Sequence, residues 1–180
     1  MKVVAIVGMP GAGKSEVAHV FEQNGYARIR FGDVTDEEIA KRGLPLSEEN
    51  ERYIRELLRQ ELGMAAYAKL NLPKIETALK KSNVVVDGLY SWEEYLFLKN
   101  HYGGEFYVIA VWASPVTRYL RLAGREIRTL TLAEAEARDK AEIEHINKGG
   151  PIAMADYTIC NESSVGDLIK ESQDLIARMR

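Results

Sequence analysis

The run "VVAIVGMPGAGKSEVAHVF" (residues 3–21) constrains this chain more than any other stretch. Val3 to Val7 are apolar without a break, which suits a strand buried on both faces of a sheet. Val17, Ala18, Val20 and Phe21 then recur at helical spacing. Between these two patterns, Gly8, Gly13, Lys14 and Ser15 fill G-x-x-x-x-G-K-[ST] at full spacing. Strand, glycine-rich turn and helix is the context that this pattern requires. The glycines let backbone N–H groups turn inward, and the helix N-terminus adds positive potential, so the loop is suited to grip phosphate oxygens. Lys14 is placed to reach the β- and γ-phosphates of ATP, and Ser15 to hold Mg²⁺. Gly8, Pro10, Gly11, Ala12, Gly13, Lys14, Ser15 and Glu16 are therefore the candidate nucleotide-binding residues.

The remaining chain alternates strand and helix. Residues 26–31 ("YARIRF"), 83–88 ("NVVVDG"), 106–112 and 156–160 ("DYTIC") read as further strands. "TDEE" (35–38), "SWEE" (91–94) and "TLAE" (131–134) are capping boxes that open helices. Ser114 and Pro115 suit the N-cap and first position of another helix. Gly43 stops the helix after the second strand, and Gly149–Gly150 the one after 131–134. Residues 47–81 read as mostly helical, with an interruption near Pro73. This order implies an α/β domain whose parallel sheet is covered on both faces. All 180 residues fit one domain, with two additions that move over its core: a helical segment at 44–81 and an Arg-rich stretch at 118–130.

Composition narrows the partners. Net charge is −3, with no basic excess to attract nucleic acid. The N-terminal apolar run ends at Gly8, too short for a signal peptide or membrane span, so no membrane partner is expected. Cys160 is the single cysteine, which precludes an intrachain disulfide and fits a reducing cytoplasm. Its expected role is a small buried hydrophobe at a strand end. The three histidines, at 19, 101 and 145, are too scattered to imply a metal cluster. The sequence sets no oligomeric state.

Three classes share such a loop. A GTP switch needs Asn-Lys-x-Asp, and the Asn-Lys pair at 147–148 lacks the Asp. Motor and AAA-type ATPases are usually longer. A small-molecule kinase needs a short chain, an arginine lid and an acceptor-binding insertion, and all three are present. "GMPGAGKSE", "VVVDG" and "RDKAEIEHINKGGPIAMADYTICNES" resemble the phosphate-loop small-molecule kinases related to nucleoside monophosphate kinases. The nearest types are dephospho-coenzyme A kinase and archaeal adenylate-kinase-like proteins. The resemblance covers the strands and chain ends well and the 44–81 segment poorly. It implies a three-layer fold with a five-stranded sheet in the order 2-3-1-4-5, and ATP as donor. It also implies that the loop from Asn161 passes near the adenine.

The other candidates follow from position. Asp87 ends an apolar strand, where a carboxylate meets Mg²⁺ directly or through water; a turn or capping Asp is the alternative. Arg118, Arg121, Arg125 and Arg128 are spaced 3, 4 and 3, so a continuing helix would put them on one face. Arg121 and Arg125 are the lid candidates, because phosphoryl transfer spreads negative charge that closing arginines stabilise. Arg138 is either an ion-pair partner of Glu134 and Glu142 or, as the resemblance implies, a phosphate contact. Asp33 follows the second strand, at the sheet's carboxyl edge. In adenylate-kinase-like enzymes two arginines hold the acceptor phosphate, the second in Asp-Gly-x-Pro-Arg; here the first position is Asp36, and "DGLYS" (87–91) has Tyr90 and Ser91 in place of Pro-Arg. Keeping Asp33 without them points to a hydroxyl acceptor on a small nucleotide-like molecule, with Asp33 as general base. "FGDVTDEE" departs from the Asp-Ala-Asp pattern of dephospho-coenzyme A kinases. Arg52, Arg55 and Arg59 either replace the lost arginines or form a solvated helix face. The alternatives are a nucleoside monophosphate kinase and an ATP-binding regulator with slow hydrolysis.

Overall fold

The computed structural model describes residues 1–126 and 129–179. Its centre is β1 (Val3–Val7), and every residue of that strand is buried. Val3, Ala5 and Val7 face one core and Val4 and Ile6 the other, as strand alternation requires. β3 (Val84–Asp87) and β4 (Phe106–Trp112) flank β1, with β2 (Ala27–Arg30) and β5 (Tyr157–Cys160) outermost. The order is β2-β3-β1-β4-β5 and every pairing is parallel.

α1 (Lys14–Gln23) and α9 (Val165–Met179) cover one face through Val17, Phe21, Leu168, Leu175 and Ile176. The other face carries α2 (Asp33–Lys41), α3 (Glu48–Leu62), α4 (Ala66–Leu79) and α5 (Trp92–Tyr102). Ile39, Ile54, Leu58, Tyr67, Ile75 and Leu98 supply its apolar contacts. Each such aliphatic or aromatic side chain contributes roughly 1.5–3 kcal/mol when fully buried. α6 (Pro115–Ala123), α7 (Leu132–Glu144) and the short α8 (Gly149–Ala153) complete the chain, with a 3₁₀ turn at Gly103–Glu105. No helix among the described residues is long and apolar enough to cross a membrane.

The register sets the site. Ile6 pairs with Asp87, and Asp87 with Arg30, so the end of β1, the acid and Arg30 share one edge. β1 leads from there to α1 on one face and β3 to α5 on the other, and such a switch point is the crevice where open parallel sheets bind ligands.

Several local expectations need correction. "TDEE" is no capping box: α2 begins at Asp33, and Thr35 donates to or accepts from the Tyr67 hydroxyl at 2.6 Å. The break in the 47–81 helix lies at 63–65, where Gly63 has φ +81°, while Pro73 sits inside α4. A glycine at positive φ ends a helix more completely than a proline whose lost bond the rest of the helix tolerates. Gly149–Gly150 begin α8; α7 has already ended at Glu144. Cys160 is exposed rather than buried. The arginine row does not lie on one helix, because α6 ends at Ala123. Arg128 lies outside the described residues.

Candidate active site

The glycine-rich turn is shaped by close approaches. Gly8 has φ +151°, and a Cβ there would collide with the Val111 carbonyl oxygen of the neighbouring strand. Gly13 has φ +101°, and a Cβ there would meet the Asn161 side-chain amide. The turn closes with Ala12 N–H donating to Met9 O at 3.2 Å, and α1 follows directly.

Two polar clamps hold this turn. Arg118 is 4% exposed and donates to the Pro10 and Ala113 carbonyls, each at 3.1 Å. It also grips the buried Asp139 of α7 with both guanidinium prongs, at 2.9 and 2.6 Å. The Tyr119 hydroxyl donates to Asp139 at 2.9 Å. Arg118 thus belongs to the support of the turn and not to a solvated face. From the other side, Asn161 donates to the Ala12 carbonyl at 2.8 Å. Arg121 in turn donates to the Asn161 carbonyl at 3.0 Å, and its other terminal nitrogen is buried without a hydrogen-bond partner. The loop after Asn161 caps α6: Glu162 accepts from the Ser114 backbone N–H and from the Thr117 hydroxyl.

Asp87 is 5% exposed. One carboxylate oxygen accepts from the Ser15 hydroxyl at 3.4 Å and the other from Arg28 of β2 at 2.5 Å. A hydroxyl beside a carboxylate is an oxygen donor pair that suits Mg²⁺, which takes few protein ligands and completes its shell with phosphate and water. Lys14 donates its ammonium to Met9 O at 3.0 Å. Burial, then the neighbouring Lys148 charge, lower Lys14 to about 7, against the opposing pull of Glu142 and Asp87.

Lys148 is 1% exposed, ion-paired with Glu142 and 5.4 Å from the centre of the Tyr90 ring. Burial would push the Glu142 carboxyl up, but Lys148 and Lys14 outweigh it and hold it at about 2. A buried lysine in this place, its Glu142 counter-ion and the Arg28 partner of Asp87 were not legible in the sequence. Neither Lys148 nor Arg28 belongs to a periodic pattern, the spacing of Glu142 pointed to Arg138 alone, and Arg28 meets Asp87 across 59 residues of chain.

Beside these groups opens a cleft of about 870 Å³ between the sheet edge, α3 and α7. Arg30, Asp36 and Tyr90 line it from the sheet side, Arg52, Arg55, Arg59 and Tyr67 from the helical insertion, and Arg138 and Glu142 from α7. Arg138 pairs with Glu142 at 3.4 Å; Glu134, its other expected partner, instead accepts from Thr131 in the α7 capping box. Asp33 is the first residue of α2 and pairs with Arg30 at 3.1 Å, both side chains nearly half exposed. Arg125 is exposed and lies beyond α6, where its carbonyl accepts from the Thr129 hydroxyl at 2.5 Å. The site thus gathers Lys14, Ser15 and Asp87 at the turn, with Glu142 and Arg138 linking Lys14 to a cleft whose Arg30 pairs with Asp33.

A family model described as an AAA domain matches residues 4–144. A UPF0200 protein of Thermococcus onnurineus is 38% identical over 98% of this chain and 97% of its own length. A UPF0200 protein of Methanoculleus marisnigri is 34% identical over 99% and 97%. Among solved structures, shikimate kinase from Acinetobacter baumannii superposes with TM-score 0.63 at 21% identity, over the whole of this chain and 95% of that one. A gluconokinase from Sinorhizobium meliloti gives 0.62 at 17% identity, over 99% and 93%. At these identities the likeness establishes a P-loop kinase-like fold.

Proposed function

We propose, for a chain that belongs to the AAA domain family and to the UPF0200 proteins, that it is a Mg-ATP-dependent kinase of a small nucleotide-like acceptor. One observation carries this reading: Arg138 and Glu142, whose charges act on Lys14, line a walled cleft large enough for a metabolite. The kinase names of two structural neighbours agree with it.

A hydroxyl acceptor, of the kind that dephospho-coenzyme A kinases use, is favoured. Asp36 and Ser91 stand where adenylate-kinase-like enzymes have acceptor-phosphate arginines, and Asp36 lines this cleft. In the step, the acceptor hydroxyl oxygen bonds to the γ-phosphorus as the bond to the β,γ-bridging oxygen breaks. ADP leaves and the hydroxyl proton passes to Asp33, which must come within about 2.6–3.2 Å directly or through one water. Lys14, Arg121, Arg125 and Arg138 offset the charge on the transferring oxygens. Ser15 and Asp87 would hold Mg²⁺, which would supply further positive charge against the phosphates. The backbone of residues 8–16 orients the nucleotide, with Asn161 on the side of the adenine.

A second reading, a nucleoside monophosphate kinase with a rearranged acceptor site, draws on Arg30 and Arg59 in the same cleft. ADP release measured with dephospho-coenzyme A and with each nucleoside monophosphate separates the two. Stimulation by dephospho-coenzyme A supports the first reading and stimulation by monophosphates alone the second. ATP hydrolysis that no acceptor accelerates contradicts both and favours a regulatory ATPase.

A further inference from the structure

We infer that the acceptor carries a second group, an oxyanion remote from its reacting hydroxyl, and that Arg59 anchors it. The inference rests on the cleft being the acceptor site. Five arginines line that cleft. Four have carboxylates of their own: Arg30 with Asp33 at 3.1 Å, Arg52 with Glu56 at 3.1 Å, Arg55 with Glu48 at 2.8 Å, and Arg138 with Glu142 at 3.4 Å. Among the described residues, the Arg59 guanidinium has no carboxylate within ion-pair distance and no hydrogen bond, and its Nε is buried.

Arg59 is nevertheless held in place. Its guanidinium lies over the Tyr67 ring, 5.3 Å from the centroid. Tyr67 is fully buried, bonded through its hydroxyl to Thr35 at 2.6 Å and packed edge-on against Tyr90. The nearby Glu94 carboxylate does not satisfy Arg59, because one oxygen accepts from the Tyr90 and Ser91 backbones and the other is itself without a partner. An ordered guanidinium with unused donors in a partly desolvated cleft matches phosphate and carboxylate, whose paired oxygens accept two parallel N–H bonds. A hydroxyl cannot do this. Arg59 belongs to α3, whereas the phosphate loop and Asp33 lie at the sheet edge, so a ligand that engages both must offer different groups at its two ends.

The test uses protein saturated with Mg²⁺ and a non-hydrolysable ATP analogue, so that the phosphate loop is filled before other anions are added. Failure of the analogue to bind would contradict the kinase reading itself and is measured first. ¹⁵N-labelled protein in that state is then titrated with inorganic phosphate and, separately, with acetate. Saturable shifts centred on α3 and Tyr67 are expected, and the better-bound anion identifies the group. Arg59→Met should weaken the binding at least about tenfold and Arg59→Lys by less, while Arg52→Met stays within about twofold of wild type. Equal binding in wild type and Arg59→Met overturns the inference, as does the absence of saturation by either anion. Should Arg59→Met fail to fold, wild-type shifts centred away from Arg59 overturn it as well.

Discussion

In the proposed reaction the chemistry turns on Lys14, and the environment of that residue makes a specific demand. Burial and the Lys148 charge lower its ammonium to about 7 in the free protein. Triphosphate oxygens favour the charged form, so bound nucleotide raises that value. Below pH 7 the lysine is already protonated and binding is pH-insensitive. Above pH 7 a proton must be taken up, and affinity should fall by up to about tenfold per pH unit. Calorimetry at pH 8 in two buffers of different ionisation enthalpy should show that uptake. Equal heats in the two buffers would mean that Lys14 stays charged in the free protein. Asp33 allows an equally direct test. Asp33→Asn keeps shape and most hydrogen bonding but cannot accept a proton, so kcat with the acceptor should fall at least about 10²-fold with ATP affinity nearly unchanged. A normal kcat rules out the base, and a primary loss of Mg-ATP affinity moves Asp33 to the metal's surroundings. At this scale the sequence disclosed those residues whose chemistry is local. Lys14 and Ser15 belong to a motif of eight consecutive residues, and Asp87 ends a compact apolar strand. Arg118 could be placed only in the row spaced 3, 4 and 3, because its partners, Pro10 and Asp139, lie 108 and 21 residues away.

The elements divide in the same way. The helix starts at Ser91, Ser114 and Thr131 were readable because their caps are built from neighbouring residues. "TDEE" misled because Tyr67, far along the chain, takes the Thr35 hydroxyl. α6 emerges as the element that ties the phosphate loop to α7. Arg118→Met would leave the buried Asp139 carboxylate without its main partner and should cost about 3–5 kcal/mol. Urea unfolding measures this, and a loss under about 1 kcal/mol would show the clamp to be energetically idle. The same clamp bears on the arginine stretch at 118–130, within which we propose a lid. Arg118 and Leu122 are buried, so α6 is anchored up to Gly124 and any closing motion belongs to the residues after it. Amide exchange at 125–130 should slow when a two-substrate analogue binds, because closure excludes water from the reacting groups. Unchanged exchange there would contradict the lid.

For the whole molecule, the order of elements was enough to predict a parallel sheet covered on both faces, and the family resemblance supplied the 2-3-1-4-5 order that the structure has. The first follows from hydrophobic runs and spacing, which survive without knowledge of tertiary contacts; the strand order does not, and came from the resemblance alone. The cleft was not legible, because its walls come from β2, α3, α4 and α7 and exist only when these are assembled. That assembly places a phosphate grip beside a pocket of arginines and tyrosines, and the central claim is that the two work together to move a phosphoryl group onto a small molecule. A single-turnover experiment with ATP labelled in the γ-phosphate, run with the acceptor panel, tests this most directly. The account predicts that the label appears in one small-molecule acceptor with wild-type protein, and that Lys14→Ala, folded as judged by circular dichroism, transfers none. Label released only as inorganic phosphate whatever acceptor is present, or a Lys14→Ala variant with unchanged transfer, would contradict it.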